Sequence, residues 1–430
     1  MIAAFLDRLR SLAPNALRSP VARQSGPRPR ASRQAWDRVT IVCVGLLLLI
    51  GLVMVTSASI YVVGQSGDPF SYLKRQLLSA VLGVIGAMLV LRVQVEFWER
   101  HGYLLAIAAL AGLVLVLLPG LGTVVNGSRR WIRLGVLNFQ WSEAARLLMV
   151  LWLAGYVVRR EEQFRTTLKG FMVPMGVVGL AAALMLMEPD MGAAVVLVMV
   201  SLGLMFLAGA RILHCALVVG VGGLLATLLV IFAPYRMKRV IGFTDPFQHA
   251  RDIGYQLVQS LIGIGRGEFF GVGLGESVQA KFYLPEAHTD FVFAILAEEF
   301  GFVGVVVVVG LFMVLAVRAL LLARRAMLQG KKFHAYVAGS FGLWVGLQSL
   351  VNMGVTMGVL PTKGLTLPFL SYGRSSLLVT LVWVGIVLRI YHEVVGVQRT
   401  VVRGPLGASS GTSTSGSVGA AQTAALESGA

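Results

Sequence analysis

Long, uninterrupted apolar runs limit what this sequence can fold into. They are roughly 17 to 25 residues long, the length that an α-helix needs to cross a ~30 Å hydrocarbon layer. Of the 430 residues, 57% are hydrophobic and only 13% are charged. A soluble fold needs no such runs. The sequence therefore predicts an all-α integral membrane protein with about ten transmembrane helices.

The predicted spans form two groups on either side of a long polar segment. An even number of spans places both termini on the same side of the membrane. The segment 233–289 then becomes one large extracytoplasmic loop, which is too long to be a simple connector. The predicted spans cover residues 39–62, 73–93, 103–118, 142–158, 171–187, 193–208, 216–232, 291–317, 335–359 and 377–395.

Basic residues indicate which side of the membrane is cytoplasmic. The formal net charge is +17, and most of the excess falls in the tails and in alternate loops, as the positive-inside rule requires. This distribution explains the positive charge without a nucleic-acid partner, and none is expected. The loop residues that assign the termini to the cytoplasm are Arg159, Arg160, Arg165, Lys169, Arg211, Arg324, Arg325, Lys331 and Lys332.

The chain divides into three regions by composition. Residues 1–38 are rich in Arg, Pro and Ser and are predicted to be a basic, disordered cytoplasmic arm; residues 39–396 form the membrane domain. Residues 397–430 are mostly small and polar and are predicted to be a disordered cytoplasmic tail. The two cysteines, Cys43 and Cys215, lie inside apolar runs, so neither a disulfide framework nor a cysteine-based metal site is expected.

Two outward segments carry basic residues that the topology does not require. Arg129, Arg130 and Arg133 precede the fourth span, and Arg236, Lys238 and Arg239 follow the seventh. Lipid headgroups or nearby carboxylates could account for each residue singly. Two such clusters on one face favour a phosphate-bearing ligand.

An acid, Asp290, stands where the large outer loop enters an apolar helix. Thr289 or Asp290 could simply cap that helix, which spacing alone favours. Glu286 and His288 precede it, and Glu298 and Glu299 follow two turns deeper. Glu298 should lie on the same side of the helix about 12 Å further in. Intramembrane acids are costly and usually functional, and one of this pair is predicted to form a salt bridge within the bundle.

Other outward motifs have both a structural and a functional interpretation. Asp190, in Glu188-Pro-Asp190, could bind a ligand or cap the sixth span, and Ser371 could bind a ligand or help to break and cap the last span. Glu143 and Arg146 are most simply an intrahelical ion pair. The glycine-rich segment 263–275 fits no nucleotide-binding pattern, so close packing against the membrane helices is expected. In the outward segment 362–373, the candidate ligand-binding residues are Lys363, Ser371 and Tyr372.

These motifs resemble those of the SEDS family (shape, elongation, division and sporulation), which includes FtsW and RodA. The features that look like the division member FtsW are Glu286-Ala287 and Leu360 to Pro368, together with the basic arm. The chain departs from the family pattern at Trp141, Arg146, Glu188 and Arg374, which stand where Pro, Lys, Gln and Gly are usual. The motifs that carry the resemblance are Asn126-Gly-Ser-Arg-Arg-Trp-Ile, Phe139-Gln-x-Ser-Glu143, Pro189-Asp-x-Gly, Gly254-Tyr-Gln-x-x-Gln-Ser, Leu284-Pro-Glu-Ala-His-Thr-Asp-Phe and Leu367-Pro-x-x-Ser-Tyr-Gly.

The resemblance implies a peptidoglycan glycosyltransferase that polymerises lipid II into glycan strands for septal cell-wall synthesis. Asp290 matches the catalytic acid and becomes the expected general base. No nucleotide cofactor is expected, and the pyrophosphate needs positive charge from basic residues or from a divalent cation, Mg²⁺ or Mn²⁺. Glu143, Arg146, Asp190, Glu298 and Glu299 are expected to be supporting. The expected substrate-binding residues are Arg129, Arg130, Glu286, His288, Lys363, Ser371 and Tyr372.

The resemblance also implies where the protein works and with what. The expected location is the bacterial inner membrane at the division septum. The expected partners are lipid II, a class B penicillin-binding transpeptidase of the FtsI type, and divisome proteins such as FtsQ, FtsL, FtsB and FtsN. A lipid II flippase, with Glu298 and Glu299 lining its path, is the second hypothesis. A noncatalytic divisome scaffold is the third.

Overall fold

A computed structural model of the chain describes residues 36–63, 68–125, 128–134, 137–232, 237, 241–281, 283–361 and 364–396. Lys363 lies outside these residues, as do Arg236, Lys238 and Arg239 and nearly all of the predicted arm and tail.

Ten long helices match the ten predicted spans in order. Six of them meet the length and composition of a membrane span, and three shorter apolar helices, Gly102–Leu117, Met191–Leu207 and Ile212–Leu225, follow the same pattern. The remaining long helix, Lys332–Thr356, is 25 residues long and buries several polar side chains. The prediction of a helical, multi-pass membrane protein is confirmed. The ten helices are α1 (Arg38–Val63), α2 (Ser71–Leu91), α4 (Gly102–Leu117), α5 (Trp141–Arg159), α7 (Leu168–Met187), α8 (Met191–Leu207), α9 (Ile212–Ile231), α11 (Val292–Leu328), α12 (Lys332–Thr356) and α13 (Arg374–Tyr391).

Three shorter helices are α3 (Val95–Arg100), α6 (Glu161–Thr166) and α10 (Tyr255–Arg266). Helix α10 is an amphipathic helix in the large outer loop; Leu257, Val258, Ser260 and Gly263 form its buried side. A 3₁₀ turn, Gln279–Lys281, follows it, and a π turn, His392–Gly396, ends the described chain.

A small antiparallel sheet was not predicted from the sequence. Strands β1 (Gly122–Val125), β2 (Ser128–Leu134) and β3 (Leu137–Gln140) pair in the order β1-β2-β3 between α4 and α5. Sequence reasoning treated this segment as a loop because short strands gain their stability from cross-strand pairing rather than from local preference. The sheet holds the predicted cluster Arg129, Arg130 and Arg133 on its central strand.

Polar contacts at one end of the bundle agree with the predicted cytoplasmic side. Lys332 pairs with Glu161, and Arg165 donates a 3.1 Å hydrogen bond to the carbonyl of Ala208. Lys331 donates to the carbonyl of Glu393 at 2.6 Å, beyond the last helix. The last helix therefore ends on the same side of the bundle as α6 and the start of α12.

The glycine-rich segment packs directly into a break in α11, as predicted. Gly301 has a φ of 63°, which interrupts the helix. The amides of Val272 and Gly273 donate to the carbonyls of Glu298 and Glu299 at 3.0 and 3.1 Å, and Phe302 donates to Glu268 at 2.9 Å. A Cβ on Gly267 would lie 1.9 Å from the carbonyl oxygen of Ala297, so only glycine permits this approach.

Candidate functional site

Asp290 is partly exposed and stands just before α11, where the loop between α12 and α13 covers it. Its carboxylate oxygen Oδ2 lies 3.1 Å from the position that a Cβ on Gly364 would occupy. Its amide donates to the carbonyl of Glu286 at 3.2 Å. The backbone of residues 364–366 thus forms one wall beside the acid, and glycine leaves the carboxylate room.

The structure does not favour the capping alternative. The N-cap position of α11 is Phe291, which makes no side-chain cap, so Asp290 precedes the cap. The hydroxyl of Thr289 donates to Glu286, both to its carbonyl at 3.1 Å and to its carboxylate at 2.8 Å. Glu286 has a φ of 56°, a strained value for a residue other than glycine.

Buried amides of α12 hold Asp290 and the covering loop together. Asn352 donates to the carbonyls of Asp290 at 3.0 Å and Leu365 at 2.6 Å. One turn earlier, Gln348 donates to the carbonyl of Thr366 at 2.8 Å. Helix α12 therefore fixes the spacing between the acid and its covering loop.

The predicted pair Glu143 and Arg146 is present and extends this network. Arg146 is buried, pairs with Glu143, and donates to the side-chain carbonyl of Gln348 at 3.0 Å. Because Gln348 in turn holds Thr366, the ion pair supports the covering loop from the interior of the bundle. Its predicted supporting role remains a prediction that this geometry favours.

Asp190 caps α8, which is the structural alternative raised from the sequence. Its Oδ1 accepts from the amide of Ala193 at 3.1 Å, and its Oδ2 accepts from Gln140 and Ser142 at 2.8 Å each. Gly192 packs against Leu365, since a Cβ there would lie 2.6 Å from its side chain. These contacts bring the start of α5, the start of α8 and the covering loop together.

Glu298 and Glu299 anchor the outer loop. Glu298 accepts from Arg266 at 2.9 Å, Ser277 at 2.5 Å and the amide of Val278 at 3.0 Å. Glu299 accepts from Ser57 and from the amide of Gly275 at 3.1 Å. One of the two deeper acids was predicted to form a salt bridge within the bundle; Glu298 does form one, with Arg266 at the end of the outer-loop helix α10.

Arg129 and Arg130, which were predicted to bind phosphate, both lie on strand β2. Arg129 donates to the carbonyl of Leu117 at 3.3 Å. The Nε of Arg130 is buried and has no hydrogen-bond partner among the described residues. Glu188 is wholly buried, and neither of its carboxylate oxygens has such a partner. Burial, and then Asp190, raise the pKa of Glu188 to about 8, while Arg130 acts in the opposite direction.

Three rings pack together at the segment that leads into Asp290. The ring centroids of Tyr72 and His288 are 4.6 Å apart, those of Tyr72 and Tyr372 are 4.8 Å apart, and those of His288 and Tyr372 are 5.6 Å apart. The amide of Tyr372 donates to the carbonyl of His288 at 2.8 Å. Burial lowers the pKa of His288, with Glu286 opposing it, which favours the neutral form of the imidazole.

The turn before Tyr372 is shaped by its own contacts. Ser371 is buried, and its hydroxyl accepts from the amide of Leu367 at 2.8 Å, which favours a loop-shaping role over the predicted substrate contact. Phe369 has a φ of 66° and is held by close packing: a Cβ on Gly51 would lie 2.2 Å from its carbonyl oxygen. Helix α13 has Gly373 at its N-cap, with no side-chain cap, so the predicted capping by serines is not observed.

Sequence reasoning missed Tyr72, Arg75, Gln348 and Asn352. Arg75 is an outward basic residue at the start of the second span, so the charge rule that singled out Arg129 could have found it. Gln348 and Asn352 are amides inside an apolar span, where polar groups are costly and usually have a role. Tyr72 carries no comparable signal.

A possible metal site in the described part of the chain lies far from Asp290. Glu96, His334 and Glu393 place ligand atoms within 4.8 Å of one another. His334 stands 18 residues before Asn352 on α12, a rise of about 27 Å. In the described ranges, no group of three ligands that includes Asp290 was found.

Comparisons with known proteins agree with this architecture. Residues 37–395 match the family of FtsW, RodA and SpoVE, described as cell cycle proteins. A Coxiella burnetii protein named probable peptidoglycan glycosyltransferase FtsW is 49% identical over 84% of this chain and 97% of its own length. The protein of the same name from Thioalkalivibrio sulfidiphilus is 51% identical over 84% of this chain and 89% of its own length.

Two solved structures are similar to this chain. One comes from work on the structural coordination of polymerization and crosslinking by a peptidoglycan synthase complex: TM-score 0.69, 31% identity, 84% of this chain and 98% of that chain. The other is the rod shape determining protein RodA of Thermus thermophilus: TM-score 0.61, 30% identity, 84% of this chain and 97% of that chain.

Proposed function

The chain belongs to the family of FtsW, RodA and SpoVE cell cycle proteins, and on that premise we propose that it is a peptidoglycan glycosyltransferase of septal cell-wall synthesis. Its substrate is lipid II, a disaccharide pentapeptide linked to undecaprenyl pyrophosphate. A lipid-linked substrate suits a multi-pass membrane protein, because the tail can remain among the helices while the sugars meet the outer loops.

Asp290 is the general base of this reaction. Its carboxylate accepts the proton of the acceptor's 4-hydroxyl while that oxygen attacks the anomeric carbon of the donor. The new bond joins the acceptor oxygen to the anomeric carbon. The bond from that carbon to the pyrophosphate breaks, and the electron pair leaves with the pyrophosphate oxygen.

The observation that carries the proposal is the placement of Asp290. It lies before the cap of α11, beside Gly364, and its main chain is fixed by Asn352. A base requires such fixed positioning, since a displacement of about 1 Å can cost a hundredfold in rate. The leaving group requires positive charge, which basic side chains on this face can supply.

The cellular setting extends the proposal. A peptidoglycan polymerase requires a crosslinking enzyme, and a class B transpeptidase of the FtsI type fits this role. The related structure named above concerns coordination of the same two activities. Location in the inner membrane at the septum, with FtsQ, FtsL, FtsB and FtsN, belongs to this proposal.

The flippase hypothesis receives less support from the described residues. It requires Glu298 and Glu299 to line a path across the membrane. Both carboxylates instead bind the outer segment 266–278, and Glu298 is wholly buried. Glu298 therefore has a structural role that does not require a transport path.

The test compares glycan strands made from lipid II by the wild type and Asp290→Asn, each purified with its transpeptidase. Glu276→Gln is the control, because Glu276 is a solvent-exposed acid of the same outer segment that pairs only loosely with Lys281, at 3.4 Å. We expect strands from the wild type and the control, and none from Asp290→Asn. Equal product from all three would remove Asp290 from its role. Lipid II movement in liposomes without any strands would favour the flippase.

A further inference from the structure

Two arginines lie near Tyr372, where the start of α2 packs against the turn before α13. Arg75 lies in the first turns of α2, and Arg374 is the first residue of α13. Gln76, the neighbour of Arg75, donates to the carbonyl of Ser371 at 3.1 Å, so α2 places Arg75 beside the turn that carries Tyr372 and Arg374. Burial raises the pKa of the Tyr372 hydroxyl, and Arg374 and Arg75 oppose this effect. Arg75, Tyr372 and Arg374 are called the arginine corner below.

The positive charge of the arginine corner has no carboxylate paired with it in the described part of the chain. None of the ion pairs found there includes Arg75 or Arg374, and neither α2 nor α13 has an acid in its first turn. The N-terminal end of a helix is itself partly positive and favours anions over cations. Two arginines at two such ends, without acids, make a site for an external anion.

The arginine corner is joined to the segment that carries Asp290. Tyr372 packs against the His288 ring and bonds the His288 carbonyl, two residues before Asp290. Gln76, next to Arg75, donates to the carbonyl of Ser371 at 3.1 Å, which locks α2 to the same turn. The neighbouring acids are Glu286, which accepts from Thr289, and Asp290 itself.

We propose that the arginine corner binds the pyrophosphate of the lipid-linked donor. This inference rests on the proposed function. The acceptor oxygen must lie about 3 Å from Asp290 and about 3 Å from the anomeric carbon, so the leaving phosphate falls a few ångströms beyond. Arginine binds phosphate through two parallel hydrogen bonds, and helix N-termini add donors and positive potential.

The arginine corner also gives Arg374 a purpose. This residue departs from the glycine of the family pattern, and a cation at the first position of a helix is electrostatically unfavourable without an anion nearby. Arg129 and Arg130 are less suited, since Arg129 donates to the carbonyl of Leu117 and the Nε of Arg130 is buried beside the sheet. Arg75 and Arg374 are therefore the first candidates for binding the pyrophosphate leaving group.

Binding is tested separately from catalysis. Full-length protein in detergent is titrated with undecaprenyl pyrophosphate and, in parallel, with phosphatidylglycerol, whose headgroup offers the same phosphate chemistry. The variants are Arg75→Gln and Arg374→Gln. Lys74→Gln is the matched control, because Lys74 is adjacent, largely exposed and paired with Asp68 at 2.6 Å.

We expect each arginine variant to raise the Kd for undecaprenyl pyrophosphate about tenfold, as for the loss of one charge-assisted hydrogen bond, with little change for phosphatidylglycerol. Lys74→Gln should bind as the wild type does. Equal weakening for both lipids would identify a headgroup site, and no weakening would remove the arginines from binding; either result overturns the proposal. Arg75→Lys and Arg374→Lys retain the charge and should bind more tightly than the glutamine variants.

The outcome also distinguishes this site from the proposed function. If the wild type polymerises lipid II and the glutamine variants show an unchanged KM, the arginine corner fails and the proposed function stands. If the wild type makes no strands while the arginine variants still lose pyrophosphate binding, the proposed function fails and the anion site stands. Thermal melting of each variant within a few degrees of the wild type shows that the comparison concerns folded protein.

Discussion

Asn352 donates a 3.0 Å hydrogen bond from its side-chain amide to the main-chain carbonyl of Asp290. The same amide nitrogen donates to the carbonyl of Leu365 at 2.6 Å. One buried side chain therefore fixes the proposed base relative to the loop that covers it, although these segments are more than 60 residues apart in sequence.

Replacing Asn352 by Leu should slow polymerisation about fivefold with little change in KM, because the lost hydrogen bond to Asp290 costs about 1 kcal/mol and Asp290 loses its alignment. Steady-state kinetics with lipid II measure this. Ser349→Ala is the control, since the Ser349 hydroxyl bonds only carbonyls of its own helix. An equal loss in both variants would point to general damage to α12 instead.

Replacing Arg146 by Met should destabilise the protein by about 3–5 kcal/mol, because Glu143 is left as a poorly solvated, unpaired charge. The double variant Glu143→Gln/Arg146→Met should lose less than the sum of the two single variants. Apparent melting temperatures in detergent measure both effects. Simple additivity would show that the pair is not coupled.

Glu188 should make the stability depend on pH. Its pKa rises from 4.5 to about 8 on folding, so the folded state binds the extra proton between these values. Stability is then fully present below pH 4.5 and is lost as the pH rises through 8, by at most about 5 kcal/mol. Glu188→Gln should raise the apparent melting temperature at pH 9 more than at pH 6. Glu276→Gln, which alters an exposed acid, should show no such difference; an equal response in both variants would exclude Glu188 as the source.

Replacing Gly267 by Ala should destabilise the junction of the glycine-rich segment with α11 by about 1–3 kcal/mol, through overpacking. A Cβ at Gly267 would meet the Ala297 carbonyl at 1.9 Å, whereas one at Gly265 would meet nothing within 4 Å. Gly265→Ala should therefore be neutral or slightly stabilising, as expected within a helix. Thermal melting of the two variants measures the contrast, and similar values would argue against the close packing.

Local pattern was sufficient for the spans and for the acid at the start of α11. The length of an apolar run is matched to the thickness of the membrane, so each span can be recognised without knowing its neighbours. The same holds for Glu143 and Arg146, which are three residues apart on one helix. The glycine-rich segment was also interpreted correctly, since so many glycines suit close backbone contact.

The sequence by itself therefore determined ten helices and the place of Asp290 at the start of one of them; the sidedness of the helices stays a prediction. Only the tertiary structure decided that Phe291, and not Asp290, occupies the N-cap position of α11 and that Asn352 aligns the acid. It also decided that Arg75 and Arg374, about 300 residues apart, lie near the same turn, since Gln76 donates to the carbonyl of Ser371. These results depend on which helix ends come together, and that is set by packing among many helices rather than by any single segment.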